Sequence, residues 1–277
     1  MERFIKNTFV FTLIGLLVFP SFFYLKYHVN DIKNLIGYDV YHSIFKSQSK
    51  KKGVNTLLLG DSVGKQAYDN RSYNDSIYSL ACNQAISLIG QYILLENFLE
   101  TFESPENLEV ILIYRPSSFN NDLDQPYTFN YFLKPFYDDK ISKILTSHAE
   151  NKIKKIPYYY LAKYKPIKKS NWSPSYMISN NYTNNFKISK TSSEYLNKIN
   201  NLCISKKVKS FKIICPFMSN QFSFKDFSIF KKNIEDYNLT QVFDGYFNKI
   251  IFLDKSLFMD GVHLKDKSTL PNNYLDI

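Results

Sequence analysis

Three residues near opposite ends of the chain, Ser62, Asp260 and His263, could together carry acyl chemistry. Ser62 closes the tripeptide Gly60-Asp61-Ser62, which directly follows the run Val54-Asn55-Thr56-Leu57-Leu58-Leu59. A short apolar run closed by glycine predicts a buried parallel strand. A serine at the junction from such a strand into a helix is lifted above the sheet, and the free N–H groups of the helix N-terminus point toward it. Those groups can hold the oxyanion that forms when a serine hydroxyl attacks an ester. Gly60 lets the backbone turn with no side chain in the way. The same tripeptide also suits a plain helix cap, so it does not decide the matter alone.

The second signal lies in Phe258-Met259-Asp260-Gly261-Val262-His263-Leu264. Asp and His three residues apart in one turn can place a carboxylate on the imidazole Nδ1–H. That contact fixes the tautomer and leaves Nε2 to take a serine proton. The chain has four histidines. His28 stands next to an apolar segment, and His42 and His148 lack a comparable carboxylate setting.

Together these blocks resemble the GDSL/SGNH hydrolase superfamily. Gly60-Asp61-Ser62 is similar to its first block, and Asp260-Gly261-Val262-His263 to its Asp-x-x-His last block, in the same order and about two hundred residues apart. The resemblance implies a flavodoxin-like three-layer α/β/α sandwich with a parallel sheet. It also implies ester chemistry with Ser62 as nucleophile, His263 as base and Asp260 as its orienter. The middle blocks depart from the pattern. Gln84, in Leu80-Ala81-Cys82-Asn83-Gln84, stands where the family has a glycine whose N–H serves the oxyanion, though any non-proline residue has such a group. Asn121, before Asp122, best matches the family's third-block asparagine, but the glycine before it is missing and the loop is longer. Both asparagines here, Asn120 and Asn121, also suit a turn. After His263 only Leu264 to Ile277 remains, with Pro271 inside it, so the family's last helix is expected to be short or absent. These departures keep a second reading open: a binding or assembly module that keeps the fold without turnover.

The elements that must position these residues follow from apolar patterning. Further strands are expected at Ile77–Cys82, at Glu109–Tyr114 (stopped by Pro116), at Ser210–Cys215 (stopped by Pro216) and at Ile250–Leu253. Helices are expected at 84–102, 194–205 and 224–237. Strands alternating with helices predict a parallel sheet covered on both faces, which binds ligands at the carboxyl ends of its strands. Residues 54–277 are read as this domain. Residues 117–190 form an irregular, aromatic-rich insert holding Tyr127, Phe129, Trp172 and Tyr176, among others, interleaved with lysines such as Lys152, Lys163 and Lys168. Aromatic faces can stack on sugars, and they can equally pack the insert onto the sheet.

Ahead of that domain, Phe9 to Leu25 is a 17-residue mainly apolar run flanked by Arg3, Lys6, Lys26 and His28. As a helix it spans about 25 Å, the short end of what a bilayer core needs. Phe22, Phe23 and Tyr24 stand where a signal-peptide cleavage site would need small residues. Residues 1–28 are therefore read as an uncleaved signal anchor in the inner or plasma membrane, with the rest outside the cytoplasm. Residues 29–53 are read as a juxtamembrane helix ended by Lys50-Lys51-Lys52-Gly53. With this anchor the chain resembles envelope-tethered members of the superfamily linked to O-acetylation of surface polysaccharides or D-alanylation of teichoic acids. That implies a cell-surface glycan or its acyl donor as partner, and a membrane-embedded acyltransferase as a further one.

Composition narrows the remaining classes. The chain has 277 residues, 44% hydrophobic and 22% charged, with a net charge of +10 carried almost entirely by lysine. Arginine, the preferred reader of bases and phosphates, appears only at Arg3, Arg71 and Arg115, so nucleic acid is not an expected partner. An excess of lysine suits an anionic membrane or glycan surface, and equally a compositional bias without function. Cys82, Cys203 and Cys215 sit in apolar stretches and form neither a disulfide framework nor a zinc motif. No metal or other cofactor is expected.

Overall fold

The structure is a computed structural model that describes residues 1–28, 38–68, 76–82, 87–122, 139–156, 159, 186–248 and 250–266. The chain opens with helix α1 (Glu2–His28). Its Glu2–Phe22 part is the one helix among the described residues long and apolar enough to cross a membrane, with none of it buried against the protein. The hydroxyls of Thr8, Thr12 and Ser21 donate to carbonyls four residues back, at 2.9, 2.8 and 2.8 Å. These three hydroxyls are therefore satisfied within the helix itself.

Helix α2 (Tyr38–Ser47) falls short of the expected helix over 29–53, of which 29–37 lie outside the described residues. Its last turn is tied to the domain. Asn97 donates to Ser47 Oγ at 3.2 Å, and Lys46 donates to the Ser79 carbonyl at 2.8 Å. Ile44 is buried in the main core. The segment is packed on the domain rather than merely preceding it.

Strand β1 (Thr56–Gly60) is buried throughout. It pairs in parallel with β2 (Ile77–Ser79) on one side and β3 (Glu109–Ile113) on the other. β4 (Ser210–Ile214) pairs in parallel with β3, giving a four-stranded sheet in the order β2-β1-β3-β4. Side chains of a strand alternate between faces. Leu57, Leu59, Val110 and Leu112 accordingly enter one apolar cluster, and Leu58, Ile111 and Ile113 the other. Pro216 has no N–H to give, so pairing lapses after Ile214. It resumes as a two-residue parallel pair, β5 (Met218–Ser219) with β6 (Phe252–Leu253).

Helix α3 (Ser62–Tyr68) follows β1 with one residue between. Helix α4 (Leu88–Thr101) is buried nearly all round, on the larger apolar cluster. Among its described residues, the region expected to be irregular contains α5 (Asp139–Ile144) and α6 (Ser147–Lys154), the latter capped by Thr146, which accepts from the Ala149 N–H. Residues 123–138, 157–158 and 160–185, with most of the named aromatics and lysines, lie outside the described residues, as does 267–277. Helix α7 (Lys190–Ser205) begins four residues before its expected start, because Ser189 caps it by accepting from the Ser192 N–H at 3.0 Å. Helix α8 (Ser228–Asp236) continues a 3₁₀ turn over Phe224–Phe227.

Much of the aromatic content is core. Phe119 packs edge-on against Tyr114, Phe243 and Tyr246, and the Tyr246 hydroxyl donates to the Tyr114 carbonyl at 2.8 Å. The three cysteines are buried free thiols, and burial pushes Cys203 and Cys215 up to about 12.

Helix α3 lies directly on the end of β3. A Cβ on Gly64 would stand 2.9 Å from the Ile113 carbonyl oxygen, a backbone atom that cannot swing aside. Gly64→Ala should therefore destabilise the fold by about 1–3 kcal/mol, although alanine is the better helix former by about 1 kcal/mol. Denaturant unfolding of the two proteins measures the difference; equal midpoints would show that α3 can move off β3 freely.

Candidate active site

Ser62 is the first residue of α3, and its orientation is set by what surrounds Gly60 and Asp61. The Gly60 N–H donates to Gln91 Oε1, and Gln91 Nε2 donates to the Gly60 carbonyl, both at 3.1 Å. Gln91 is the fully buried polar side chain of the apolar helix α4. Its amide shares the Gly60 carbonyl with the Cys82 N–H, which donates to it at 3.3 Å. Asp61 is 2% exposed and caps α3. One carboxylate oxygen accepts from the Val63 N–H at 2.9 Å and the Gly64 N–H at 3.3 Å; the other accepts from Ser118 Oγ at 2.5 Å.

This capping corrects one expectation. The N–H groups of Val63 and Gly64 are already engaged by Asp61 and are not free to hold an oxyanion. In that turn only the Ser62 N–H has no acceptor among the described residues.

The partners of Ser62 come from a tight hairpin. Phe258 and Leu264 form an antiparallel bridge, and the Met259 N–H donates to the His263 carbonyl at 2.8 Å. Gly261 takes φ +75° at the turn, a conformation glycine adopts without the strain a Cβ would bring. Within this turn one Asp260 oxygen accepts from the N–H groups of Val262 and His263, at 3.0 and 2.7 Å. The other lies 2.8 Å from His263 Nδ1, and His263 Nε2 lies 2.8 Å from Ser62 Oγ.

Burial by itself would raise the Asp260 carboxyl. The hydrogen bond from the His263 ring, the two main-chain N–H groups and the imidazole's charge outweigh it and hold the carboxyl below its ordinary value. An ionised Asp260 accepts only, so Nδ1 must carry the ring proton in the neutral imidazole. Nε2 then faces Ser62 as an acceptor. The Asp260 side chain has no exposure and the His263 side chain 18%, so the base is open to an incoming molecule while its orienter is sealed.

The structure thus brings Ser62, His263 and Asp260 within hydrogen-bond reach at the carboxyl end of β1. It does not bring the Asn121 side chain into a hydrogen bond with any of them. Asn121 closes the 3₁₀ turn over Pro116–Asn120, its N–H donating to the Ser118 carbonyl. Its own carbonyl accepts from Ser189 and Ser192 at the start of α7, at 2.9 and 3.3 Å. Asp122 accepts from Thr191 and from Lys152. The pair is a junction between β3 and helices α6 and α7. Gln84 lies outside the described residues. A cavity of about 220 Å³, lined by Asn55, Ser76, Asn107, Glu109 and others, opens at the amino ends of the strands and plays no part in this site.

The chain matches no family model, no curated protein and no solved structure. The geometry and the two end blocks must therefore carry the functional reading.

Sequence reasoning missed Gln66, Gln91, Arg115 and Ser118, each of which holds a neighbour of Ser62, Asp260 or His263: Leu264, Gly60, the Gly261 and Val262 carbonyls and Asp61 in turn. The available signals were a glutamine inside an otherwise apolar helix and an arginine placed directly after a strand in a lysine-rich chain.

Proposed function

We propose that this protein is a membrane-anchored, serine-dependent acyl-ester enzyme of the SGNH type. One observation carries the reading: an ionised, sealed carboxylate on Nδ1 of an imidazole whose Nε2 rests 2.8 Å from a serine hydroxyl. His263 takes the Ser62 proton as Oγ adds to the ester carbonyl, and Asp260 stabilises the imidazolium that forms. The oxyanion is met by the Ser62 N–H, with the main-chain N–H of Gln84 and the Asn121 side chain as the further donors the resemblance suggests. Collapse expels the alcohol with the proton from His263, leaving an acyl group on Ser62. Water or a sugar hydroxyl, deprotonated by His263 in turn, then takes the acyl group.

The parallel order β2-β1-β3-β4, with a second, two-stranded parallel sheet of β5 and β6, supports a flavodoxin-like arrangement. Helix α1, with its span-length apolar stretch, supports a single-pass anchor, and the resemblance to envelope-tethered members suggests that the domain lies outside the cytoplasm. In that setting the preferred substrate is an O-acetyl ester on a cell-envelope glycan or its acyl donor, with a membrane-embedded acyltransferase as supplier. The engagement of Val63 and Gly64 with Asp61 favours the rival reading, a non-catalytic SGNH-fold module of a surface-polysaccharide pathway, since it thins the oxyanion site.

A fluorophosphonate probe separates the two, because it reacts only with an activated serine. Stoichiometric labelling, with the adduct on Ser62 by peptide mass, is the expected result. Absence of labelling in folded protein would leave the module reading ahead.

A further inference from the structure

Arg115 follows β3 with one residue between, and its side chain is 2% exposed. Hiding a guanidinium is costly unless its donors are used. Its Nη1 donates to the Val262 carbonyl at 3.2 Å and to the Gly261 carbonyl at 3.4 Å. These are the two residues between Asp260 and His263. On the other flank the Gln66 amide pairs with both main-chain groups of Leu264, each at 2.9 Å. The turn that carries base and orienter is therefore gripped from α3 and from the end of β3. A charged donor holds a carbonyl more firmly than a neutral one does.

We propose that Arg115 is a positioning residue for the reaction: it fixes the Asp260–His263 turn so that Nε2 stays on Ser62 Oγ. This rests on the serine-ester reading above. A merely structural Arg115 would fill space beside Cys215 and Tyr246, whose ionisation its charge opposes burial in shaping. In that case its loss would lower stability without a specific effect on Ser62.

The test uses the full chain in detergent and compares fluorophosphonate labelling rates of wild type, Arg115→Ala, Arg115→Lys and Ser62→Ala. Thermal unfolding is followed in parallel, and each rate is measured with and without guanidinium chloride at a sub-denaturing concentration. Misplacing a reacting group by about 1 Å can cost on the order of 10²-fold, and Arg115→Ala should label slower by about that factor while still unfolding cooperatively. Added guanidinium should recover part of the rate in Arg115→Ala and none in Ser62→Ala. Arg115→Lys keeps the charge, but its nitrogen ends one bond short of where Nη1 meets the two carbonyls, so it should also stay slow. Wild-type labelling by Arg115→Ala, no guanidinium recovery, or loss of folding in both Arg115 variants would each overturn the proposal while leaving the ester reading intact. A wild type that fails to label would bring down the ester reading, and this proposal with it.

Discussion

Ser62→Ala should abolish ester turnover and probe labelling together, with kcat/KM for a small acetyl ester falling on the order of 10⁴- to 10⁶-fold. Ser62 Oγ is the hydroxyl that His263 Nε2 meets, and an alanine there leaves the base with no proton to take and the ester with no nucleophile. His263→Ala should fall into the same range by a different route. The hydroxyl remains, but nothing removes its proton at neutral pH. Groups that act as one unit do not lose activity additively, so the double variant should be barely slower than either single one. Steady-state kinetics on the three variants, with unfolding midpoints as a check on folding, measures all of this. Full activity in Ser62→Ala would sink the enzyme reading outright. A double variant slower by the product of the single losses would mean that Ser62 and His263 act independently, which a 2.8 Å hydrogen bond between them contradicts.

How much of this was legible in the sequence depends on the range of the forces involved. β1, β3 and β4 were placed within a residue or two because a short, largely apolar run stopped by Gly60, Pro116 or Pro216 announces itself locally. The two blocks that meet at the site were readable for the same reason: Gly60-Asp61-Ser62 and Asp260-Gly261-Val262-His263 each carry their geometry within a few residues. Their supports were not readable. Gln91 reaches Gly60 across 31 residues and Gln66 reaches Leu264 across 198, and nothing local to a glutamine tells which main-chain group its amide will meet. The start of α7 lies ahead of the apolar spacing because the first turn is held by the Ser189 cap, which apolar periodicity does not register. The use of the Val63 and Gly64 N–H groups was not legible because Gly60-Asp61-Ser62 suits both a nucleophile turn and a helix cap, and only the folded chain shows the Asp61 carboxylate turned onto them.

Asp260→Asn should cost about 10³- to 10⁴-fold in kcat, close to the loss of the base itself. If the carboxylate only steadied the ring, water could stand in for it and the loss would be small. Its side chain has no solvent exposure, so no water can take its place. The amide also fits badly. One oxygen of Asp260 accepts from the Val262 and His263 N–H groups, and the carbonyl of an asparagine must stay there, because its NH₂ would face two donors. The NH₂ is then turned to His263 Nδ1 and donates to it, which drives the ring proton to Nε2. In that tautomer the nitrogen beside Ser62 is a donor and cannot take the serine proton. The substitution also has a signature in stability. The carboxyl is held below its ordinary value of 3.8, so its contribution is fully present above that value and is lost as pH falls through the lower, folded-state value. Wild type should therefore lose stability more steeply than Asp260→Asn as pH drops from about 5, and the gap between their unfolding midpoints should narrow toward acid. A full-rate Asp260→Asn enzyme, or parallel acid profiles for the two proteins, would remove Asp260 from the role that its hydrogen bonds to His263 assign it.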